Sequence, residues 1–187
     1  MLDPAAAELR EWARGPMESL VERVGESANL VVLAGTEVRF VATVECNRVL
    51  RVGDRAGQRL PAHLTSGGKA ILAQLPDAEL NRFVELGPTA LAKLRHDIHA
   101  ARLAGYASNR QDTEKGLTAI GVALAPLPGS IRAAICLAMP TARYRNSSLE
   151  TNLSALRDAA RAIEVAIDAA GSTSSGGQPT PSVADMR

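Results

Sequence analysis

The spacing of apolar residues along the chain predicts an alternating series of helices and strands. Residues 4–26 carry apolar side chains at helical spacing, although the pair Gly15-Pro16 should kink this helix or split it in two. Residues 29–34 form an unbroken apolar run, as in a strand covered on both faces. Residues 38–45 alternate with a period close to two, and a turn signal at 35–37 joins the two strands.

Three helices are predicted in the middle of the chain. The first has Thr65 or Ser66 as its N-cap, and a stripe of Ile and Leu follows. The second starts at residues 76–77, and the third ends near Gly105. Residues 49–53, which precede these helices, could form either a strand or a short helix.

The last third of the chain predicts strands and a closing helix. A short strand is expected at residues 106–109. Residues 117–125 and 131–139 flank a turn rich in Pro and Gly and should pair as an antiparallel hairpin. A long helix follows, because apolar residues recur three or four apart over 149–167. Residues 171–187 are rich in Gly, Ser, Thr and Pro, which predicts a disordered tail.

This order of elements predicts an α+β domain with a central antiparallel sheet and helices packed around it. We expect an N-terminal helix within residues 1–27 and a single domain over 28–170, followed by the tail. The composition agrees with a soluble globular domain, since 46% of the 187 residues are hydrophobic and 22% are charged. Aromatic residues make up only 3%, so Ala, Val, Leu and Ile must form the core.

Charge and hydropathy limit the possible partners. The formal net charge of +1 gives no indication of a surface for nucleic-acid phosphates. No run approaches the ~20 apolar residues of a membrane span, and the N-terminus lacks the pattern of a signal peptide. We therefore expect a cytoplasmic protein without a membrane partner.

The cysteines and histidines offer little chemistry. Cys46 and Cys136 lie far apart, which fits buried thiols better than a disulfide framework or a zinc site. His96 and His99 could share a face, but no third ligand is evident, so neither a metal nor a cofactor is predicted. A nucleophilic pair of Cys136 with His63 is conceivable, although no acid or oxyanion element supports it.

One face of the predicted hairpin consists of very small side chains. They are Ala119, Gly121, Ala123, Ala134, Cys136 and Ala138. Such a face either admits a closely packed helix or leaves a cavity, and the pattern alone does not decide between the two.

The segment Thr65-Ser66-Gly67-Gly68-Lys69 could hold an anion. A helix begins there, and its first amides have no partner within the helix. The helix dipole would favour a carboxylate or phosphate close to those amides. The spacing of a phosphate-binding loop is absent, which argues against nucleotide hydrolysis. An ordinary capped helix remains the alternative.

The run GQRLPAHLTSGGKAILA at residues 57–73 resembles the effector-binding domain of IclR-type bacterial transcription regulators. Four further segments keep the order of that family, and the resemblance covers about residues 9–168. They are the residues from Ile98 to Ala107, the run Glu114-Lys115-Gly116, the residues from Ala133 to Arg143, and the helix 159–163. The resemblance implies a GAF-like fold and a sensory rather than an enzymatic role.

The resemblance also implies an effector site. The amides of Ser66 and Gly67, with Thr65 and Gly68 beside them, match the positions that hold an effector carboxylate. An apolar wall would come from Val49, Val52 and Leu60. Four further positions hold polar side chains in relatives that sense small keto acids, and here they are Asn109, Ala119, Cys136 and Ala138.

These replacements change the expected ligand. They remove hydrogen-bond partners and a negative charge, so a buried hydroxyl or keto group would lose about 1–3 kcal/mol for each missing partner. We therefore expect an organic acid that is less polar than glyoxylate or pyruvate, with an apolar or aromatic body.

Members of the family carry an N-terminal winged helix-turn-helix, for which these 187 residues contain no counterpart. DNA binding is therefore expected of a longer parent protein, through a domain not present in this chain. A homodimer or tetramer is expected, because a palindromic operator requires a two-fold axis. Two alternatives stay open, namely a hydrolase or redox enzyme that uses Cys136 and a pure dimerisation module with a collapsed pocket.

Overall fold

The computed structural model describes residues 4–174, which form an antiparallel sheet with helices on both faces. The helices are α1 (Pro4–Val24), α2 (Ser66–Ala73), α3 (Pro88–Ala104) and α4 (Leu149–Ser174). The strands are β1 (Ser27–Ala34), β2 (Glu37–Val44), β3 (Arg59–Pro61), β4 (Ala107–Arg110), β5 (Leu117–Ala123) and β6 (Ala133–Pro140). Short 3₁₀ segments occupy Asp77–Leu86, Pro128–Ser130, Thr141–Arg143 and Asn146–Ser148.

The six strands follow the order β3-β2-β1-β6-β5-β4, and every neighbouring pair is antiparallel. Helices α1 and α4 pack together against one face, where they share the larger apolar core. Helices α2 and α3 cover the other face around a second core. The predicted α+β class with a central antiparallel sheet is confirmed, as is the hairpin of β5 and β6. Within residues 4–174, no helix is long and apolar enough to cross a membrane.

Helix α1 is one helix from Pro4 to Val24, so of the two alternatives predicted at Gly15-Pro16, a kink or a split, the split does not occur. A proline inside a helix costs about 3 kcal/mol. Burial of a Leu or Met side chain contributes about 1.5–3 kcal/mol. Leu9, Met17 and Leu20 are all buried against the core, and their combined burial outweighs the cost of Pro16.

Three other segments differ from the sequence prediction. Residues 59–61, expected to lead into a helix, form the edge strand β3. Residues 49–53 belong to neither a strand nor a helix. Helix α4 continues past Gly171, where the sequence predicts the tail to begin, because extending an existing helix costs far less than starting one. The predicted tail from residue 175 onward lies outside the described residues.

Helix α2 touches the sheet where the small side chains lie. A Cβ atom on Gly121 would stand 2.9 Å from the Gly67 nitrogen. A Cβ atom on Gly67 would stand 2.6 Å from a methyl group of Val31 and 2.7 Å from the Cys136 sulfur. The close approach of a helix therefore accounts for the part of the face around Gly121, and a cavity opens beside it.

Candidate effector-binding site

The start of α2 presents two amides to the cavity. Thr65 is the N-cap, as predicted, and its Oγ1 accepts a hydrogen bond of 3.0 Å from the Gly68 amide. The Lys69 amide donates to the Thr65 carbonyl. Gly68 is therefore not available to a ligand, contrary to the prediction. Ser66 and Gly67 contribute the remaining amides, neither of which donates to a carbonyl among residues 4–174, whereas the Gly67 amide contacts the weak sulfur acceptor of Cys136.

The cavity lies between the start of α2 and the hairpin of β5 and β6, and its open space is about 30 Å³. Most of the sequence-predicted site residues line it together: Leu60, Thr65, Ser66, Gly67, Asn109, Ala119, Cys136 and Ala138. Further lining residues are Asn29, Val31, Phe40, Arg55, Thr113 and Leu117. The fold thus brings distant segments of the sequence to one cavity.

Two members of the predicted apolar wall lie elsewhere. The side chain of Val49 is 100% exposed, because residues 49–53 form an irregular loop. Val52 is buried, but it packs against Leu117, Ala119 and Ala138 without lining the cavity. Of the three predicted wall residues, only Leu60 contributes to the wall directly.

Asn29 is a polar cavity residue that the sequence analysis missed. It is 2% exposed, and its Oδ1 accepts a hydrogen bond of 2.8 Å from the Thr43 hydroxyl. Its position at the head of the apolar run of β1 was the available signal, since a buried amide in such a run requires a partner.

Arg55 is the second missed residue. Arg55 lines the cavity, and its Nη2 donates to Glu114 Oε1 at 2.7 Å. Its backbone amide donates to the Thr43 hydroxyl at 3.1 Å. It lies in a charged, glycine-containing segment that indicated only a surface loop, so the sequence pattern gave no signal for this role.

Asn109 organises the loop beside the cavity. Its Nδ2 donates to the Thr113 hydroxyl at 2.7 Å, and its Oδ1 accepts from the Asp112 amide at 2.8 Å. Both ends of the side-chain amide are thus engaged within the protein. Asn109 therefore fixes the loop that carries Glu114.

A charged cluster connects this loop to the two helices of the second core. Lys69 is 3% exposed, and its Nζ lies 2.9 Å from Asp112 Oδ2 and 3.3 Å from Asp97 Oδ2. Burial opposes ionisation of Asp97, yet a hydrogen bond from Lys93 and the charge of Lys69 together hold its pKa below the usual value. Burial and then the charge of Lys69 lower the pKa of His63, which does not line the cavity.

Cys136 has the properties of a structural thiol. Burial raises its pKa to about 12, although hydrogen bonds from the Ser66 side chain and the Gly67 amide oppose this rise. A thiol with this pKa is neutral at physiological pH, whereas a nucleophilic cysteine requires the thiolate. Among the described residues, no group of three His, Cys, Asp or Glu side chains could hold a metal ion.

We expect iodoacetamide to leave Cys136 unmodified in the folded protein, because the thiol is buried and protonated. Intact mass and peptide mapping at mildly alkaline pH would follow the labelling, with denatured protein as the reference. The variant Cys46→Ala isolates Cys136, and Cys136→Ala is its matched control. Labelling of folded Cys46→Ala as fast as free cysteine would show that the thiol is reactive.

Comparisons with known proteins identify the family. The sequence model described as "Bacterial transcriptional regulator IclR C-terminal" matches residues 5–165. The chain therefore belongs to the IclR family of bacterial transcriptional regulators and corresponds to its C-terminal, effector-binding domain. It is 31% identical over 163 residues to the HTH-type transcriptional repressor AllR of Escherichia coli K12, covering 82% of this chain and 60% of AllR. This chain thus spans about three-fifths of the length of that relative.

Solved structures agree with this assignment. A transcriptional regulator from Rhodococcus sp. RHA1 superposes with a TM-score of 0.78 at 31% identity, covering 90% of this chain and 75% of that one. An IclR homolog from Microbacterium hydrocarbonoxydans, solved in complex with 4-hydroxybenzoate, superposes with a TM-score of 0.75 at 28% identity. The match covers 88% of this chain and 70% of that homolog. The family resemblance deduced from residues 57–73 is thereby confirmed.

Proposed function

We propose that this domain binds a small organic acid in the cavity beside α2 and so modulates DNA binding by its parent regulator. The observation that carries the proposal is the pair of amides of Ser66 and Gly67 at a helix N-terminus that lines the cavity, where the Gly67 amide has only the Cys136 sulfur, a weak acceptor, as its partner. The helix dipole and these donors favour a carboxylate there. No Asp or Glu is among the residues that line the cavity, so no charge within it would repel the ligand.

The walls favour a ligand with an apolar body. Val31, Phe40, Leu60, Ala119 and Ala138 surround the space next to the two amides. The side-chain amide of Asn109 hydrogen-bonds within its own loop, to Thr113 and Asp112. It therefore contributes little hydrogen bonding to a keto or hydroxyl group near the ligand carboxylate. The complex of the Microbacterium homolog with 4-hydroxybenzoate supports an acid of this kind.

Ligand binding must widen the cavity. Its open space of about 30 Å³ corresponds to roughly one water molecule, far below the 300–1,000 Å³ of typical ligand sites. A ligand that binds only the wider state would shift the population of the domain toward that state.

The loop 45–55 offers a route from the cavity to α1. Ser27 donates to the Val52 carbonyl at 2.7 Å, and Arg48 donates to the Gly25 carbonyl at 2.8 Å. Arg143 donates to both carboxylate oxygens of Glu26 at 2.7 Å and to the Leu50 carbonyl. Movement of the cavity wall would thus reach the end of α1, the proposed interdomain helix. We further propose that the parent acts in the cytoplasm as a homodimer or tetramer.

A thermal-shift series tests whether the amides of Ser66 and Gly67, here called the carboxylate seat, bind an acid. Benzoate and 4-hydroxybenzoate should stabilise the domain, whereas the uncharged isosteres benzamide and methyl benzoate should not. Stabilisation by about 2.7 kcal/mol is expected at a ligand concentration 100 times Kd. For a domain of this size, that corresponds to a rise in Tm of about 5–11 °C.

The variant Ser66→Pro removes one amide donor with little expected disturbance of the helix. Proline is well tolerated at the first helical position, and the extended backbone of Thr65 suits a residue that precedes proline. Ser66→Ala keeps the amide and is the matched control. We expect carboxylate binding to weaken about tenfold in Ser66→Pro and little in Ser66→Ala. Equal thermal shifts with the acids and with their uncharged isosteres would refute carboxylate binding at Ser66 and Gly67.

A further inference from the structure

We infer that Arg55 is a second anion anchor of the cavity, and that the effector is a dicarboxylic acid with a short apolar or aromatic body. This inference rests on the proposed carboxylate seat at Ser66 and Gly67 and adds a second acidic group to the ligand. It follows from which hydrogen-bonding groups line the cavity and from the nature of the ion pair that Arg55 makes.

The hydrogen-bonding groups of the cavity are dominated by donors. The Ser66 amide and Asn29 Nδ2 donate, as do the Gly67 amide, which contacts the Cys136 sulfur, and the Arg55 guanidinium, which pairs with Glu114. The Thr65 hydroxyl is engaged, since it accepts from Gly68 and lies 3.3 Å from the Ala62 carbonyl. A ligand that satisfies this set must be rich in acceptors, as carboxylates are.

Asn29 adds a buried side-chain amide to the cavity lining. It is 2% exposed, and its Oδ1 is occupied by the hydrogen bond from the Thr43 hydroxyl. The other end of this amide, Nδ2, can only donate, so Asn29 adds to the donor character of the lining. An acceptor oxygen of a bound acid would pair this group.

The ion pair of Arg55 with Glu114 can be exchanged for one with a ligand. The Arg55 side chain is 13% exposed, so its charge requires a partner, whereas the Glu114 side chain is 52% exposed. Glu114 can therefore return to water at little cost. The Arg55 backbone is held at both ends, by its amide to Thr43 and its carbonyl to Gln58. A ligand carboxylate in place of Glu114 would meet a positioned guanidinium.

Exchange at Arg55 would also separate two loops. The pair with Glu114 joins the loop that follows β2 to the loop that precedes β5. The second loop also carries Asp112, which contacts Lys69 of α2. A diacid would thus replace a direct contact between the loops by a contact with itself, whereas a monoacid would leave that contact in place.

Isothermal titration calorimetry with matched acids tests the inference on the full chain. Terephthalate is paired with benzoate, and succinate with butyrate, at neutral pH. We expect at least one diacid to bind about tenfold more tightly than its monoacid, as a charge-assisted contact with Arg55 predicts. Arg55→Met should abolish that preference, and Arg55→Lys should retain part of it. Arg59→Met is the matched control, because Arg59 pairs with Glu37 and does not line this cavity.

Glu114→Gln should change diacid affinity in the direction opposite to Arg55→Met. It removes the carboxylate that competes for Arg55, so diacid binding should become tighter while monoacid binding stays unchanged. Diacid binding that is weakened or unchanged by Glu114→Gln would overturn the inference. Equal affinity for monoacid and diacid in the wild type would do the same and would leave the seat at Ser66 and Gly67 intact. Failure of every acid to bind would overturn the seat itself.

Discussion

Gly68→Ala is expected to lower the free energy of unfolding by about 2–4 kcal/mol, the sum of an overpacking cost and the loss of a helix cap. A Cβ atom at this position would stand 2.2 Å from the Ala62 carbonyl oxygen, 2.6 Å from Ala62 Cα and 2.6 Å from Thr65 Oγ1. Two of these atoms belong to the backbone of a buried residue, so no side chain can rotate away. The helix must move, and the hydrogen bond from Gly68 to Thr65 is lost.

Urea denaturation followed by circular dichroism measures this effect. Gly53→Ala is the control, because nothing stands within 4 Å of a Cβ atom built there and its φ lies outside the left-handed region. Gly53 is exposed in a loop, so alanine there should change the free energy of unfolding by less than about 1 kcal/mol. A Gly68→Ala protein as stable as the wild type would show that α2 does not pack as tightly as the structure indicates.

The elements that the sequence predicts well are those with a regular apolar period. The helix ending at Gly105, the hairpin of β5 and β6 and the amphipathic helix α4 follow directly from such periods. The N-cap at Thr65 is equally local, because a capping side chain bonds within one turn. The face of very small side chains on the hairpin predicted either a closely packed helix or a cavity, and the sequence could not decide between them. The structure contains both, with α2 over Gly121 and the cavity over Ala119.

The part of the site that sequence reasoning missed depends on distant and irregular segments. Asn29, Arg55 and Thr113 line one cavity from three different parts of the chain, and only the sheet order brings them together. Arg55 lies in a loop, where no period relates position to burial. The same lack of a period explains the misplacement of Val49 and Val52, since the register of that segment could not be fixed.

The second large loss of stability is expected from a substitution at Lys69. Its ammonium is nearly fully buried between Asp97 and Asp112. Lys69→Met preserves the apolar stem and removes the charge, which leaves two carboxylates close together with Lys93 alone as their counterion. Breaking a buried ion pair costs about 3–5 kcal/mol. Both carboxylates are about one-fifth exposed, so we expect a loss of about 2–3 kcal/mol in the free energy of unfolding at pH 7.

The cost of Lys69→Met should depend on pH in a defined direction. The charge of Lys69 helps to lower the pKa of Asp97 in the folded protein, so this stabilisation is complete above the ordinary carboxyl pKa of about 3.9. It is lost as the pH falls through the lower value of the folded state. The difference between wild type and variant should therefore be largest near neutrality and shrink below about pH 4.

Urea unfolding at several pH values tests both the size and the sign of this effect. Lys93→Met is the matched control, because Lys93 contacts the same two carboxylates from an exposed position. Its loss should be about 1 kcal/mol or less, as for other exposed ion pairs. Because the variant keeps the apolar stem, a cost for Lys69→Met that is the same at every pH would contradict a stabilising role of the ion pairs with Asp97 and Asp112. A pH-dependent cost would instead show that a buried charge holds α2, α3 and the Asp112 loop together, and with them one wall of the cavity beside α2.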